Sequence, residues 1–174
     1  MKTIHPPLPQ TYWVEPGSLL AGPHPLRMPG APHPAALQAL ISGGITAFVD
    51  LSDPLEVSGA AYCDSFVDFA GGAEIRYYNL PFRDFATPTV PEMRAILDLL
   101  GTLQAQGSPA YIHCYAGVGR TGTVVGCLLA ESGFAGNAAL TRLEKLRSGL
   151  PGTRFLSPET ERQRLFVLAW PPAR

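Results

Sequence analysis

"YIHCYAGVGRTGTVVGCLLA", Tyr111 to Ala130, is the stretch whose reading decides the fold. A short apolar run, Ala110–Cys114, reads as a buried strand that ends in a cysteine. A glycine-bearing loop follows, then Arg120, then an apolar stretch that reads as a helix closed by Gly133. Strand, tight loop and helix N-terminus form the repeating unit of an α/β sheet, and such sheets bind ligands beyond the carboxyl ends of their strands. Upstream, "PEMRAILDLLGTLQAQG" (Pro91–Gly107) predicts an amphipathic helix with Met93, Ile96, Leu97 and Leu100 on its apolar side. "EIRYYNLP" (Glu74–Pro81) and "ITAFVDLS" (Ile45–Ser52) predict two more strands. "PAALQALISGG" reads as a short helix capped by Gly43, and "AAYCDSFVDFA" as another. Downstream, "NAALTRLEKLRSG" predicts a helix with Asn137 as N-cap, and Ser157–Trp170 a last one with Ser157 as N-cap. Strands alternating with helices imply an α/β fold, with a mostly parallel central sheet flanked by helices.

The rest of the composition bounds the function. The chain has 174 residues, 46% hydrophobic and 16% charged, with net charge −1. That suits one soluble domain over residues 1–174, and gives no overall attraction to nucleic acid or an acidic membrane. Residues 1–34 hold much of the proline and read as an extended N-terminal segment, with Tyr12–Val14 and Ser18–Leu20 as edge strands. Cys63, Cys114 and Cys127 form no paired framework, which fits a reducing compartment. The start lacks the apolar core of a signal peptide, and no run reaches the ~18 apolar residues of a membrane span. The expected location is cytoplasmic.

The loop "CYAGVGR" has the chemistry of an oxyanion site. Gly117 and Gly119 let successive backbone N–H groups turn inward and form an anion cradle. The helix beginning near Arg120 adds the positive end of its dipole. Arg120 adds a planar fork matched to two phosphate oxygens. The same field favours the thiolate of Cys114, a nucleophile placed beneath the anion. Thr121 can donate to that sulfur. The plainer alternative, a buried cysteine beside a glycine turn, leaves Arg120 at a strand-to-helix corner unexplained.

With five residues between Cys114 and Arg120, "HCYAGVGRTG" resembles the signature loop of the cysteine-based tyrosine and dual-specificity phosphatases. "YWVEPGSLLAGPHP" resembles the N-terminal segment of the small bacterial members, so the resemblance runs from about Tyr12 to Val167. It implies a phosphomonoester hydrolase working through a phosphocysteine. Cys114 is then the nucleophile; Arg120 and the amides of Tyr115, Ala116, Gly117, Val118 and Gly119 hold the phosphate. His113 organises the loop rather than ligating zinc. Asp84, in the proline-containing loop "FRDFATPTVP", matches the general acid, with Asp53 as its rival. Gln163 matches the glutamine that orients the attacking water, against the alternative of a solvated helix face. Arg154 either lines the pocket or is simply exposed, Cys127 is core, and Cys63 is a possible disulfide partner for Cys114. No cofactor or metal is implied. The expected partner is a phosphorylated protein or peptide, with phosphate, sulfate or vanadate able to occupy the loop. Two alternatives stand: a phosphoinositide or inositol phosphate phosphatase on the same fold, which the neutral loop residues disfavour, and a phosphoprotein-binding module without turnover.

Overall fold

The computed structural model describes residues 5–28, 33–56, 66, 74–134, 136–151 and 156–171. Five strands form one sheet: β1 (Tyr12–Glu15), β2 (Leu19–Pro23), β3 (Ala47–Asp50), β4 (Arg76–Asn79) and β5 (Ala110–Cys114). Their spatial order is β1-β2-β5-β3-β4, antiparallel between β1 and β2 and parallel elsewhere. The strand that carries the cysteine is therefore central, and its carboxyl end lies level with those of β2 and β3. In the register, Cys114 lies opposite Pro23 and His113 lies opposite Asp50.

Helices cover both faces. On one face α1 (His33–Ser42) packs over Leu20, Phe48 and Tyr111. On the other, α2 (Val90–Ala105), α3 (Gly119–Glu131), α4 (Asn137–Arg147) and α5 (Glu161–Ala169) bury Ala47, Val49, Ala110 and Ile112. The assignment follows the two-residue alternation of a strand. Burying β5 on both faces is why its sequence is apolar almost throughout. α2 buries Met93, Ile96, Leu97, Leu100 and Leu103, so the expected stripe is present and one turn longer.

Several boundaries differ from expectation. Leu19–Pro23 is an interior strand rather than an edge, because its partners are β1 on one side and β5 on the other. The strands expected over Ile45–Ser52 and Glu74–Pro81 are trimmed at both ends, to Ala47–Asp50 and Arg76–Asn79. Gly44 rather than Gly43 takes the left-handed conformation after α1, at φ 92°. The N-cap of α4 is Gly136, with Asn137 already helical. The last helix starts later than Ser157. Its N-cap is Thr160, in a reciprocal capping box with Gln163, and Ser157 instead donates to the Val118 carbonyl at 2.8 Å. Of the helix expected over "AAYCDSFVDFA", only Phe66 lies within the described residues; it is helical and packs on Phe48 with ring centroids 5.0 Å apart. Cys63 and Arg154 lie outside them.

Candidate active site

Cys114 ends the central strand and is buried. The chain then turns through Tyr115–Val118 into α3. Among the described residues, no backbone or side-chain acceptor takes the N–H groups of Tyr115 to Arg120. Val118, the N-cap of α3, offers no side-chain cap. A run of amides without protein acceptors at an uncapped helix end has the geometry to take an anion. Gly117 makes the turn possible. Its φ is 69°, and a Cβ there would lie 2.4–2.6 Å from the backbone of Gly22 and Pro23. Gly119 acts differently from expectation: it is helical, and its value is space, since a Cβ would come 3.1 Å from Gln163 Oε1.

Arg120 is fully buried, at 0% exposure, and its guanidinium joins three segments. Nη1 and Nη2 form a fork on the Glu56 carboxylate at 3.2 and 2.7 Å. Nη1 also donates to the Leu51 carbonyl at 3.2 Å. Nε lies 3.2 Å from Asp84 Oδ1. Burial works against the arginine's charge, but Glu56, Cys114 and Asp84 more than offset it and hold its pKa above the usual value. Asp84 thus stands at the site as expected, its side chain 41% exposed. Asp53 does not: it accepts the Leu55 N–H at 2.9 Å in a local turn. Phe85, next to Asp84, has a φ of 58°, an uncommon conformation for a bulky residue.

Gln163 is buried, which overturns the solvated-face alternative. Its Oε1 accepts the Thr160 N–H at 3.1 Å, and its Nε2 donates to Ala86 O at 3.0 Å. Thr160 Oγ1 also donates to Phe85 O at 3.4 Å. The start of α5 therefore holds the loop that carries Asp84. Thr121 is buried with no hydrogen-bond partner for its hydroxyl among the described residues, so the expected bond to the Cys114 sulfur is not formed here.

His113 points to the opposite face from Cys114, into a buried group beneath the loop. Its Nδ1 lies 3.6 Å from Asp50 Oδ1, and His24 Nε2 lies 3.6 Å from Asp50 Oδ2. Tyr77 donates to Asp50 Oδ2 at 2.9 Å and the Ser52 N–H to Oδ1 at 2.7 Å. Burial pushes the Asp50 carboxyl up, but His113, His24 and Ser52 more than offset it, so it sits well below the ordinary carboxylate range. Burial pushes the His113 imidazole down to about 3, with Asp50 opposing only in part. His24, Asp50 and His113 bring possible ligand atoms within 4.8 Å of one another. Both Asp50 oxygens already accept strong hydrogen bonds, which suits a support for the loop.

Sequence reasoning missed Glu56, Asp50, His24 and Arg147. Asp50 carried a faint signal, a charge at the carboxyl end of a buried strand. Glu56 carried none, being 64 positions from its partner Arg120.

Residues 9–161 match the family described as Swiss Army Knife protein, DSP-PTPase phosphatase domain (PTP-SAK). The chain belongs to this family, within the dual-specificity-like branch of the tyrosine phosphatase superfamily. Among curated relatives, the dual specificity protein phosphatase CDC14AB of Danio rerio is 30% identical over 126 residues, covering 68% of this chain and 19% of the relative. The tyrosine-protein phosphatase CDC14 of Saccharomyces cerevisiae is 30% identical over 77 residues, covering 44% of this chain and 14% of the relative. This chain thus spans less than a fifth of these relatives' length. A crystal structure of Tk-PTP in the active form superposes with a TM-score of 0.69 at 23% identity, covering 91% of this chain and 94% of that one. PTPMT1 in complex with PI(5)P gives 0.68 at 15% identity, covering 92% and 94%. At these identities the likeness is one of fold.

Proposed function

We propose that this chain hydrolyses phosphomonoesters through a phosphocysteine, as a protein tyrosine or dual-specificity phosphatase. The observation that carries the reading is the run of N–H groups from Tyr115 to Arg120 that have no acceptor among the described residues, around the end of Cys114's strand, with Arg120 and Asp84 in contact across it. The phosphate sits in that cradle. One of its oxygens takes the place of Asp84 on Arg120 Nε, and the freed carboxyl turns to the leaving oxygen. The Cys114 thiolate attacks phosphorus; the S–P bond forms as the P–O bond breaks, and Asp84 gives its proton to the departing alcohol. Water then attacks the phosphocysteine. Asp84, now a carboxylate, takes the water's proton, the S–P bond breaks, and inorganic phosphate and thiolate remain. Gln163 is beside Gly119 and tied to the acid loop, a position from which its amide can orient that water. The fixed amides and Arg120 meet the charge that moves onto the equatorial oxygens.

The test is turnover of a chromogenic aryl phosphate in metal-free buffer, with rapid acid quench and mass mapping of the phosphorylated residue. The wild-type chain should trap phosphate on Cys114. Cys114→Ser should lose turnover yet retain vanadate binding. Binding without turnover by the wild-type chain would make it a phosphate-binding module instead.

A further inference from the structure

Beside the phosphate loop lies a cavity of about 610 Å³ that the reaction above does not use. Tyr115, Ala116, Gly117 and Val118 form the wall it shares with the cradle. Among the described residues two arginines line it, Arg27 and Arg147, and no carboxylate does. Arg147, at the end of α4, is only 7% exposed. Among the described residues its one hydrogen bond runs from Nη1 to the Gly117 carbonyl at 3.3 Å, and no acid pairs with it. Its guanidinium lies 5.9 Å from the Tyr12 ring, a contact that leaves the charge without a counter-ion. A buried cation without an anion is costly, so such groups are normally paired. Arg27 comes from the other side, its guanidinium 4.5 Å above the ring of Tyr115 and held over the same loop. Leu26, Met28 and Leu150 complete an apolar wall.

We propose that this cavity is a second anion subsite, which takes a phosphate carried on the same molecule whose scissile phosphate occupies the Cys114–Arg120 loop. The substrate class is then a bisphosphorylated alcohol or phenol on a small scaffold with an apolar face. The proposal deepens the hydrolase reading and rests on it. It also accounts for the neutral loop residues: the second charge is met from outside the loop, by α4 and the segment after β2.

The experiment compares kcat/KM for an aryl monophosphate and the matching aryl bisphosphate on one protein preparation, so that the ratio is independent of the folded fraction. The wild-type chain should favour the bisphosphate by roughly tenfold at low ionic strength, the weight of one partly screened charge pair. Arg27→Gln, at an exposed position, should cut that preference by at least about threefold, and Arg27→Glu should reverse it. Arg147→Lys keeps a charge but loses the fork, and should weaken the preference as well. Equal use of the two esters, or a preference untouched at Arg27, would overturn the subsite while leaving the hydrolase intact. Failure of the wild-type chain on both esters would instead overturn the hydrolase reading. A free anion is the competing occupant. If sulfate changed monophosphate hydrolysis in an Arg27-dependent way without any bisphosphate preference, the cavity would belong to a free ion and the proposal would fail.

Discussion

At the scale of single residues, Arg120 is held by carboxylates that belong to two other loops. Glu56 fixes the plane of the guanidinium with two bonds, and Asp84 touches its remaining edge. Glu56→Gln keeps the shape and loses the charge-assisted fork, whose bonds are worth roughly 1.5–3 kcal/mol each when one partner is ionised. We expect kcat/KM to fall on the order of tenfold or more. Vanadate affinity should fall with it, because the guanidinium edge that receives the anion is no longer aimed. Arg120→Lys should be far worse, since a point charge cannot span Glu56 and a phosphate together. Asp84→Asn should slow a phosphotyrosine peptide by a factor on the order of 10²–10⁴. A nitrophenyl phosphate, whose leaving group needs the proton far less, should suffer much less. Asp53→Asn should leave the leaving-group dependence as it is; if it produces that dependence and Asp84→Asn does not, the acid is Asp53.

At the scale of elements, the site depends on how a loop and a helix cap meet. Gly117→Ala needs both a left-handed alanine and a Cβ within 2.4–2.6 Å of the Gly22–Pro23 backbone. Neither neighbour is a flexible side-chain end, so the loop itself must move. The expected outcome is a folded chain with lost vanadate binding, read by titration alongside an unchanged far-ultraviolet circular dichroism spectrum. Thr160 caps α5 and holds the acid loop through Gln163 and Phe85. Thr160→Ala should cost about 1 kcal/mol, the usual value of an N-cap. That corresponds to a Tm lower by about 2–4 °C for a domain of this size. Thr160→Ser keeps the oxygen and should recover most of the loss.

At the scale of the whole molecule, the buried group beneath the loop ties stability to pH. His113 is neutral in the fold down to about 3, whereas in the unfolded chain it protonates near 6.5. Between those values the unfolded chain binds the extra proton, so stability falls as pH drops through the window. Asp50 acts in the same sense lower down. Its folded value lies beneath 3.8, so its contribution is complete above that pH and is lost as pH falls further. Denaturant midpoints taken from pH 7 to pH 4 should therefore decline, by an amount on the order of a few kcal/mol in ΔG. His113→Asn should flatten the decline. An equally steep fall in that variant would place the acid sensitivity elsewhere.

By itself the sequence determined whatever depends on local order. A strand, a five-residue loop and a helix N-terminus are consecutive, so Cys114, the amides after it and Arg120 must converge wherever the chain goes. The alternation of strands with amphipathic helices likewise sets the α/β class, because each apolar face has to be covered. Asp84 and Gln163 were legible only through resemblance to known phosphatases, since their approach depends on two loops meeting across the sheet's end. Glu56 on Arg120, Asp50 between His24 and His113, and Arg147 behind Gly117 were not legible. Each joins residues far apart in the chain, and a lone charged side chain reads as exposed until packing removes its water. Only the tertiary structure decided which charges meet and which are buried: it set the exposed Glu56 against Arg120, and burial turned Asp50 and Arg147 from ordinary surface residues into supports of the loop.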